Sequence, residues 1–358
     1  MTRRTHCRTS RAAGLAMFPA ALVSALLLCA VLLSCERADP PEDGLTRPAL
    51  RVSYLPHLSF APFMVAREEG YFEQAGVDVE YVDLKRSAHG VAALAQGDLD
   101  VLSGFLSVGV LNAIRENAGI KIVACKGYAA PGRDSYNVIL AREDLGPHDE
   151  LTGERLHGCR VLTGVDSFQA PFTESFLARW DLTLDDVEAS RIPAPAQLPA
   201  IAQGDADLAA TTEPWATRIL DAGHAYLIAR AGDVVPGFQY GYVAFGPGLL
   251  EDDREAGRRF MVGYLRAIRR LRRGKTAGNL DVLAAASGLD RDLLTRAAWP
   301  SFHSDGRIDV ESLLEFQNWA VKRNLMRAPL QVESFWEPAF VEHADAVLRD
   351  EKAPAGVP

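Results

Sequence analysis

The folded part of the chain opens with a hydrophobic pattern typical of a strand, a helix and a second strand. Residues 50–55 predict a short strand that ends at Pro56, and residues 63–69 predict a helix that stops at Gly70. Residues 77–82 alternate between apolar and polar side chains, as a half-buried strand does. Strand, helix, strand is the order of a βαβ unit, whose crossover joins two parallel strands. The pattern therefore predicts an α/β fold.

Residues 93–104 and 200–211 form an internal repeat. The two segments share six identical residues at a constant offset of 107 positions. In each copy the pattern predicts a helix that ends at a glycine, Gly97 or Gly204, where a left-handed conformation is favoured, followed by a strand. An offset this long is not a solenoid period. The repeat therefore predicts two similar α/β lobes.

Two such lobes would enclose a cleft, since open α/β sheets bind ligands beyond the carboxyl ends of their strands. Four loops follow predicted strands: residues 54–61, 103–107, 164–170 and 212–215. We expect these four loops to face one pocket.

The N-terminus has the composition of an export signal, with four arginines before an acid-free apolar run over residues 12–33. Leu32-Leu33-Ser34-Cys35 resembles the lipobox of bacterial lipoproteins. The resemblance implies that residues 1–34 are removed as a signal peptide and that Cys35 carries lipid. Residues 35–49, polar and rich in proline, would then form a flexible tether. An uncleaved membrane anchor is the alternative, because about 20 apolar residues span a bilayer.

Composition excludes some classes of function but does not identify a ligand. The 358 residues carry a formal charge of -9, which argues against a nucleic-acid partner. Cys125 and Cys159 are the cysteines of the folded body, and they fit two buried thiols better than a disulfide.

Several motifs in order resemble one known family. They are the run over residues 54–72, the Ala-x-Gly-Asp-x-Asp turn at residues 95–100, and Glu213-Pro214-Trp215. Together they resemble the periplasmic substrate-binding proteins of ABC importers, in the group that binds thiamine pyrimidine precursors, sulfonates, nitrate and bicarbonate. The resemblance covers roughly residues 51–325 and implies the type II periplasmic-binding-protein fold, two α/β lobes joined by two hinge crossings with a ligand cleft between them. It implies that residues 50–137 and 239–358 form lobe 1 and residues 138–238 form lobe 2.

The same resemblance implies the function. The protein would be an exported, lipid-anchored monomer facing the periplasm or the cell exterior. It would capture a small molecule between its lobes and deliver it to an ABC permease and its ATPase, with no cofactor, metal or nucleic acid. One alternative is an enzyme of the same fold acting on a pyrimidine or menaquinone precursor, with His57 as a general base. Another is a tethered ligand sensor.

The candidate ligand-binding residues divide by chemistry. Aromatic rings suit a flat or apolar ligand, hydroxyls and a loop histidine can hydrogen-bond it, and carboxylates can accept from an amine. The aromatic candidates are Tyr54, Phe60, Phe105, Phe168, Trp215 and Tyr240, the hydrogen-bonding candidates are His57, Ser59, Ser87, Ser103, Ser167 and Thr212, and the carboxylates are Asp166 and Glu213.

Two of these assignments have alternatives. Glu213 could equally cap a helix that begins at Pro214. The acidic balance favours a cationic or amino-bearing ligand over an anion, and the aromatic candidates suit a flat heterocycle such as a pyrimidine. A sulfonate-like anion would need only hydroxyls and helix N-termini, of which Ser87 and Ser167 are examples.

Overall fold

The computed structural model describes residues 49–83, 87–116, 118–147 and 150–351, with residues 87 and 88 described by their backbone alone. The predicted signal peptide, the lipid acceptor Cys35 and nearly all of the tether lie outside the described residues. The strands of the described part are β1 (Ala49–Tyr54), β2 (Asp78–Asp83), β3 (Val101–Phe105), β4 (Lys121–Tyr128), β5 (Asn137–Arg142), β6 (Arg160–Leu162), β7 (Glu188–Ser190), β8 (Leu208–Thr212), β9 (Ala225–Arg230) and β10 (Gln239–Phe245).

The strands form two five-stranded sheets with the same arrangement of directions. The strand orders are β2-β1-β3-β10-β4 and β7-β6-β8-β5-β9. In each sheet the first three strands of that order are parallel and the fourth is antiparallel to both of its neighbours. The chain crosses between the sheets twice, after β4 and after β9. The predicted architecture of two α/β lobes with two crossings is therefore confirmed, while the exact lobe boundaries stay a prediction.

Helices cover the sheets and extend the C-terminal part of the chain. They are α1 (Ala61–Glu68), α2 (Tyr71–Gln74), α3 (Ser87–Gln96), α4 (Val108–Arg115), α5 (Gly153–Leu156), α6 (Gln169–Leu177), α7 (Ala194–Ala202), α8 (Trp215–Asp221), α9 (Ala231–Val234), α10 (Arg254–Leu271), α11 (Ala277–Ser287), α12 (Arg291–Arg296), α13 (Val310–Lys322), α14 (Val332–Phe335) and α15 (Ala339–Asp350).

The internal repeat of the sequence is also a repeat of structure. Gly97 follows α3 with φ +76°, and Gly204 follows α7 with φ +77°, so both use the left-handed conformation that glycine adopts without strain. The second aspartate after the glycine makes the same contacts in each copy. Asp100 accepts hydrogen bonds from the backbone and guanidinium of Arg51, at 2.8 and 3.1 Å. Asp207 accepts the same set from Arg160, at 2.8–3.1 Å.

The longest helix of the described chain, α10, anchors the core of the first lobe. Asp253 caps its N-terminus by accepting from the Ala256 backbone N–H at 2.9 Å. Its buried face includes Phe260 and Tyr264, and the Tyr264 ring packs 5.1 Å from that of Phe63 in α1. Burying an aromatic side chain of this kind contributes about 1.5–3 kcal/mol.

The resemblance places residues 239–358 in lobe 1, and α13 within this segment also contacts the second lobe. Trp319 donates its indole N–H to the carboxylate of Glu174 in α6 at 2.5 Å. Arg323, just after α13, forms an ion pair with Asp185 at 2.7 Å. Helix α13 therefore ties the two lobes together.

Cys125 and Cys159 are buried and free, which confirms the prediction of two separate thiols. Within the described residues, no helix is both long enough and apolar enough to span a bilayer.

Candidate functional site

A cavity of about 510 Å³ lies where the two lobes meet. The first lobe supplies most of its wall, from the end of β1 and its loop, from β3, and from facing sides of α3 and α4. The second lobe supplies Asp166, Ser167 and Arg191. Most of the wall is apolar, with a small number of hydroxyl and charged groups. A small-molecule site has this composition, in which apolar area gives affinity and a few polar groups give orientation.

Three of the four loops predicted to face one pocket do so. Six of the predicted ligand-binding residues line this cavity: Tyr54, Phe60, Ser103, Phe105, Asp166 and Ser167. The fourth loop, residues 212–215, does not contribute to the wall. The sequence pattern located the carboxyl ends of the strands but could not show how far each loop extends toward the other lobe.

The charged side chains of the cavity are already paired. Arg191 Nη1 lies 2.9 Å from Asp166 Oδ1, and both side chains are about half exposed, at 58% and 50%. Asp166 is the one carboxylate among the described lining residues, so no free acidic group faces the cavity there. Sequence reasoning missed Arg191, which follows the short strand β7 without any motif around it.

Backbone contacts join the lobes beside this cavity. The Val108 N–H donates to the Asp166 carbonyl, and the Phe168 N–H donates to the Leu106 carbonyl, both at 2.9 Å. Behind them the Phe168 ring lies 5.2 Å from Phe105. Phe168 is buried in this contact between the lobes and does not line the cavity.

Tyr240 and Tyr136 continue the aromatic packing away from the cavity. Their rings stack at 5.5 Å, and Phe168 lies 5.7 Å from Tyr240. Burial raises the pKa of Tyr240 well above its ordinary value. Burial also raises the pKa of Tyr136, against smaller opposing hydrogen bonds from Thr212 and Ser59. Tyr240, Thr212 and Ser59 were predicted as ligand contacts, and the structure places all three in this packed interior.

His57 is partly buried and packs beside Tyr136 rather than on the cavity wall. Its Nδ1 accepts from the backbone N–H of Ser59 at 3.4 Å and lies 3.0 Å from the Tyr136 hydroxyl. Because a backbone N–H can only donate, Nδ1 is the unprotonated nitrogen. Burial, together with the charge of Lys126, lowers the pKa of His57 to about 4. His57 is therefore held neutral by its neighbours and does not face the cavity as a general base would.

Glu213 caps helix α8, which is one of the two roles predicted for it. Its carboxylate accepts from the Thr217 backbone N–H at 3.0 Å, from the Thr217 hydroxyl at 2.8 Å and from the Ala298 N–H at 3.2 Å. Burial raises its pKa, and these hydrogen bonds oppose the shift. The carboxylate is fully occupied by protein donors.

The remaining predicted residues lie elsewhere. Trp215 begins α8 outside the cavity wall, with the Arg218 guanidinium 4.7 Å above its ring. Ser87 begins α3, and its side chain is outside what the structure describes.

Lys126, near the end of β4, is a charged residue that sequence reasoning missed. Its side chain is fully buried, with Nζ 4.3 Å from the centre of the Phe60 ring and 4.5 Å from that of Phe105. Nζ has no hydrogen-bond partner among the residues that the structure describes. Burial lowers the pKa of Lys126 to about 7. The available signal was a lysine inside an otherwise apolar strand, residues 122–127.

Among the described residues, no group of three or more histidine, cysteine, aspartate or glutamate side chains could hold a metal ion.

Comparison with solved structures identifies the fold. The ligand-binding component of an ABC-type import system from Staphylococcus aureus, with zinc bound, superposes with a TM-score of 0.69 at 16% identity, covering 83% of this chain and 99% of that one. The alkanesulfonate-binding protein SsuA from Xanthomonas axonopodis pv. citri, bound to MOPS, gives 0.64 at 21% identity, covering 81% and 99%. The nitrate-binding protein NrtA from Synechocystis PCC 6803 gives 0.62 at 11% identity, covering 87% and 92%. The fold is that of the periplasmic binding proteins, as predicted.

The chain belongs to the NMT1-like family, whose model matches residues 43–286. A search of curated protein sequences finds no match.

Proposed function

We propose that this protein is the solute-binding component of an ABC importer, which captures a small molecule between its lobes and delivers it to a permease. The observation that carries the proposal is the cavity of about 510 Å³, lined by both lobes and mostly apolar. A ligand that touches both lobes stabilises their closed arrangement, and closure is the signal that a membrane partner can recognise. The similar solved proteins are described as binding components of this kind, which supports the proposal.

The cavity favours a ligand with an apolar body. Tyr54, Phe60 and Phe105 present rings to it, and aromatic rings bind flat or aliphatic groups through area and stacking. A pyrimidine-like heterocycle fits these walls. An amine finds less support, because Asp166 already pairs with Arg191.

The proposal includes export and a lipid anchor on Cys35. This part rests on the sequence, namely the apolar run followed by the lipobox-like Leu-Leu-Ser-Cys over residues 32–35. A tethered binding protein remains near its permease at the membrane surface, where a second interaction raises the effective concentration of the partner.

Binding rather than catalysis is the function that the geometry favours. The histidine proposed as a base is hydrogen-bonded to Ser59 and Tyr136 and is not among the described residues of the cavity wall.

The test is a thermal-shift screen of the full-length protein against pyrimidines, amines, sulfonates, carboxylates, nitrate and bicarbonate. A ligand at 100 times its Kd adds about 2.7 kcal/mol to the free energy of unfolding, which gives a clear rise in Tm. The expected result is a stabilising compound that mass spectrometry recovers unchanged. Recovery of a different compound supports the enzyme, and no stabilising compound contradicts the proposal.

A further inference from the structure

Lys126 carries three N–H donors into the protein interior, and no residue in the described part of the chain accepts from them. The side chain has no solvent exposure, and Nζ contacts no hydrogen-bond acceptor. A buried ammonium without a counter-ion is costly, and two aromatic faces compensate for only part of its lost hydration. Burial of this ammonium destabilises the folded protein unless another charged or polar group interacts with it.

The rings that contact this ammonium also line the cavity. Phe60 and Phe105 each touch Nζ through a ring and each contribute to the cavity wall. Phe60 is buried, whereas Phe105 is partly exposed and lies at the end of β3. The Phe105 ring therefore contacts both the ammonium and the cavity.

A second unpartnered donor lies on the cavity wall itself. Ser103 precedes Phe105 by two positions in β3, so the two side chains share one face of the strand. The Ser103 hydroxyl is buried, lines the cavity and has no hydrogen-bond partner. The cavity wall thus holds an unpartnered hydroxyl, and two of its rings contact the unpartnered ammonium of Lys126. The one carboxylate among its described residues, Asp166, is paired with Arg191.

A glycine in the neighbouring strand β10 leaves room for the Lys126 side chain. A Cβ atom at Gly241 in β10 would lie 3.2 Å from both Cβ and Cε of Lys126. Glycine at this position leaves the space through which the aliphatic part of the lysine passes toward Phe105.

We propose that Lys126 is the specificity residue of this cavity and receives the oxyanion head group of the captured ligand, whose apolar part occupies the cavity. The ligand class is a monoanionic carboxylate or sulfonate with an apolar tail. Displacement of the Phe105 ring joins the head group to the ammonium, and the Ser103 hydroxyl donates to a second oxygen. The inference rests on the proposed function, because it assigns the ligand of the same site.

The test measures the affinity of the full-length protein for four probes that share a phenyl-alkyl tail. They are 3-phenylpropanoate, 2-phenylethanesulfonate, 3-phenylpropanamide and 3-phenylpropylamine, compared by isothermal titration calorimetry. We expect the better anion to bind the wild-type protein at least 10-fold more tightly than the amide and the amine. The relative affinities of the two anions show whether the site prefers a carboxylate or a sulfonate. An amide or amine that binds as well as both anions overturns the inference without the use of any variant.

Variants of Lys126 test whether this side chain supplies the charge that binds the anion. Lys126→Met should lower the affinity for the better anion by 30-fold or more and leave the affinity for the amide within about 2-fold. Lys121→Met, on the same strand and outside this cavity, is the matched control and should change neither. Lys126→Gln serves as a second variant if the methionine protein does not fold. Unchanged anion affinity in a folded Lys126 variant overturns the assignment.

The outcomes separate the two proposals. If neither anion binds while the broad screen finds a neutral or cationic ligand, the assignment of Lys126 fails and the binding function stands. If no compound binds in either experiment, both fail.

Discussion

At the scale of single residues, the most unusual group is the buried ammonium of Lys126, whose folded pKa of about 7 lies below the 10.5 of an ordinary lysine. Between these two values the unfolded chain binds more protons than the folded protein, so stability rises with pH across this window. Below about pH 7 the lysine is charged in both states and the cost of its burial is complete. The residue therefore lowers stability most at neutral and acidic pH.

We predict that Lys126→Met is more stable than the wild-type protein at pH 6 and that this advantage shrinks as pH rises from 7 toward 10. The upper limit of the change is about 1.4 kcal/mol per pH unit, the free energy of one pKa unit. Urea unfolding at pH 6, 8 and 10 measures the difference, with Lys121→Met as control. A constant difference across this range would show that the lysine is not buried as a charge.

Glu213 is a second residue whose role is decided by its partners. We predict that Glu213→Ala lowers the free energy of unfolding by about 2–4 kcal/mol, because it leaves the N–H groups of Thr217 and Ala298 buried without an acceptor. Glu315→Ala, at an exposed position of α13, is the control and should change stability by less than about 0.5 kcal/mol. Chemical denaturation measures both. A small loss for Glu213→Ala would mean that water replaces the carboxylate.

At the scale of elements, the two copies of the repeat form one structural unit twice. Each copy ends a helix at a left-handed glycine and then clamps the next strand to its neighbour through an aspartate and an arginine. The clamp joins β3 to β1 in one lobe and β8 to β6 in the other.

We predict that Asp100→Asn and Asp207→Asn each lower the free energy of unfolding by about 1–3 kcal/mol, since each loses charge-assisted hydrogen bonds to an arginine. Asp98→Asn and Asp205→Asn, the exposed aspartates two positions earlier, are matched controls within the same motif. Equal losses in all four variants would show that the aspartate of the clamp has no special role.

Helix α4 allows a test of the cavity without disturbing the core. A Cβ atom at Gly109 would meet nothing closer than the Ser107 hydroxyl at 3.8 Å. We predict that Gly109→Leu reduces affinity for the ligand found in the screen by at least 10-fold, because the new side chain fills part of the cavity. Stability should hold or rise, since glycine within a helix costs about 1 kcal/mol.

Gly278→Leu is the matched control for this variant. It occupies the second position of α11, as Gly109 does in α4, and its nearest neighbour is the end of the Arg270 side chain at 3.6 Å. Similar affinity losses in both variants would argue that the ligand binds outside the cavity.

At the scale of the whole molecule, the two-lobed body follows a lipobox-like sequence over residues 32–35, for which we propose a lipid anchor. We predict that Cys35→Ser moves the protein from the membrane fraction to the soluble fraction, because the acceptor for lipid is lost. Cys29→Ser, within the apolar run, is the control and should leave the distribution unchanged. Retention of the Cys35 variant in the membrane would identify the run over residues 12–33 as an uncleaved anchor.

Local physics made the architecture predictable from the chain alone. Strand alternation at residues 77–82, helix termination at Gly97 and Gly204, and the repeat at a 107-residue offset depend on neighbours a few positions away. These features determined the α/β class and the two lobes. Because parallel strands end at one edge of a sheet, they also located three of the loops that form the cavity.

The tertiary structure alone decided which side chains face that cavity. Glu213 accepts a hydrogen bond from the N–H of Ala298, 85 residues away in the chain. His57 lies at hydrogen-bond distance from the hydroxyl of Tyr136, 79 residues away. Lys126 reaches Phe60 and Phe105 beside Gly241, a residue of the distant strand β10 that leaves room for its side chain. Contacts of this range leave no periodic trace in the sequence. The chain thus determined where a site would form, while packing between distant segments determined which residues belong to it.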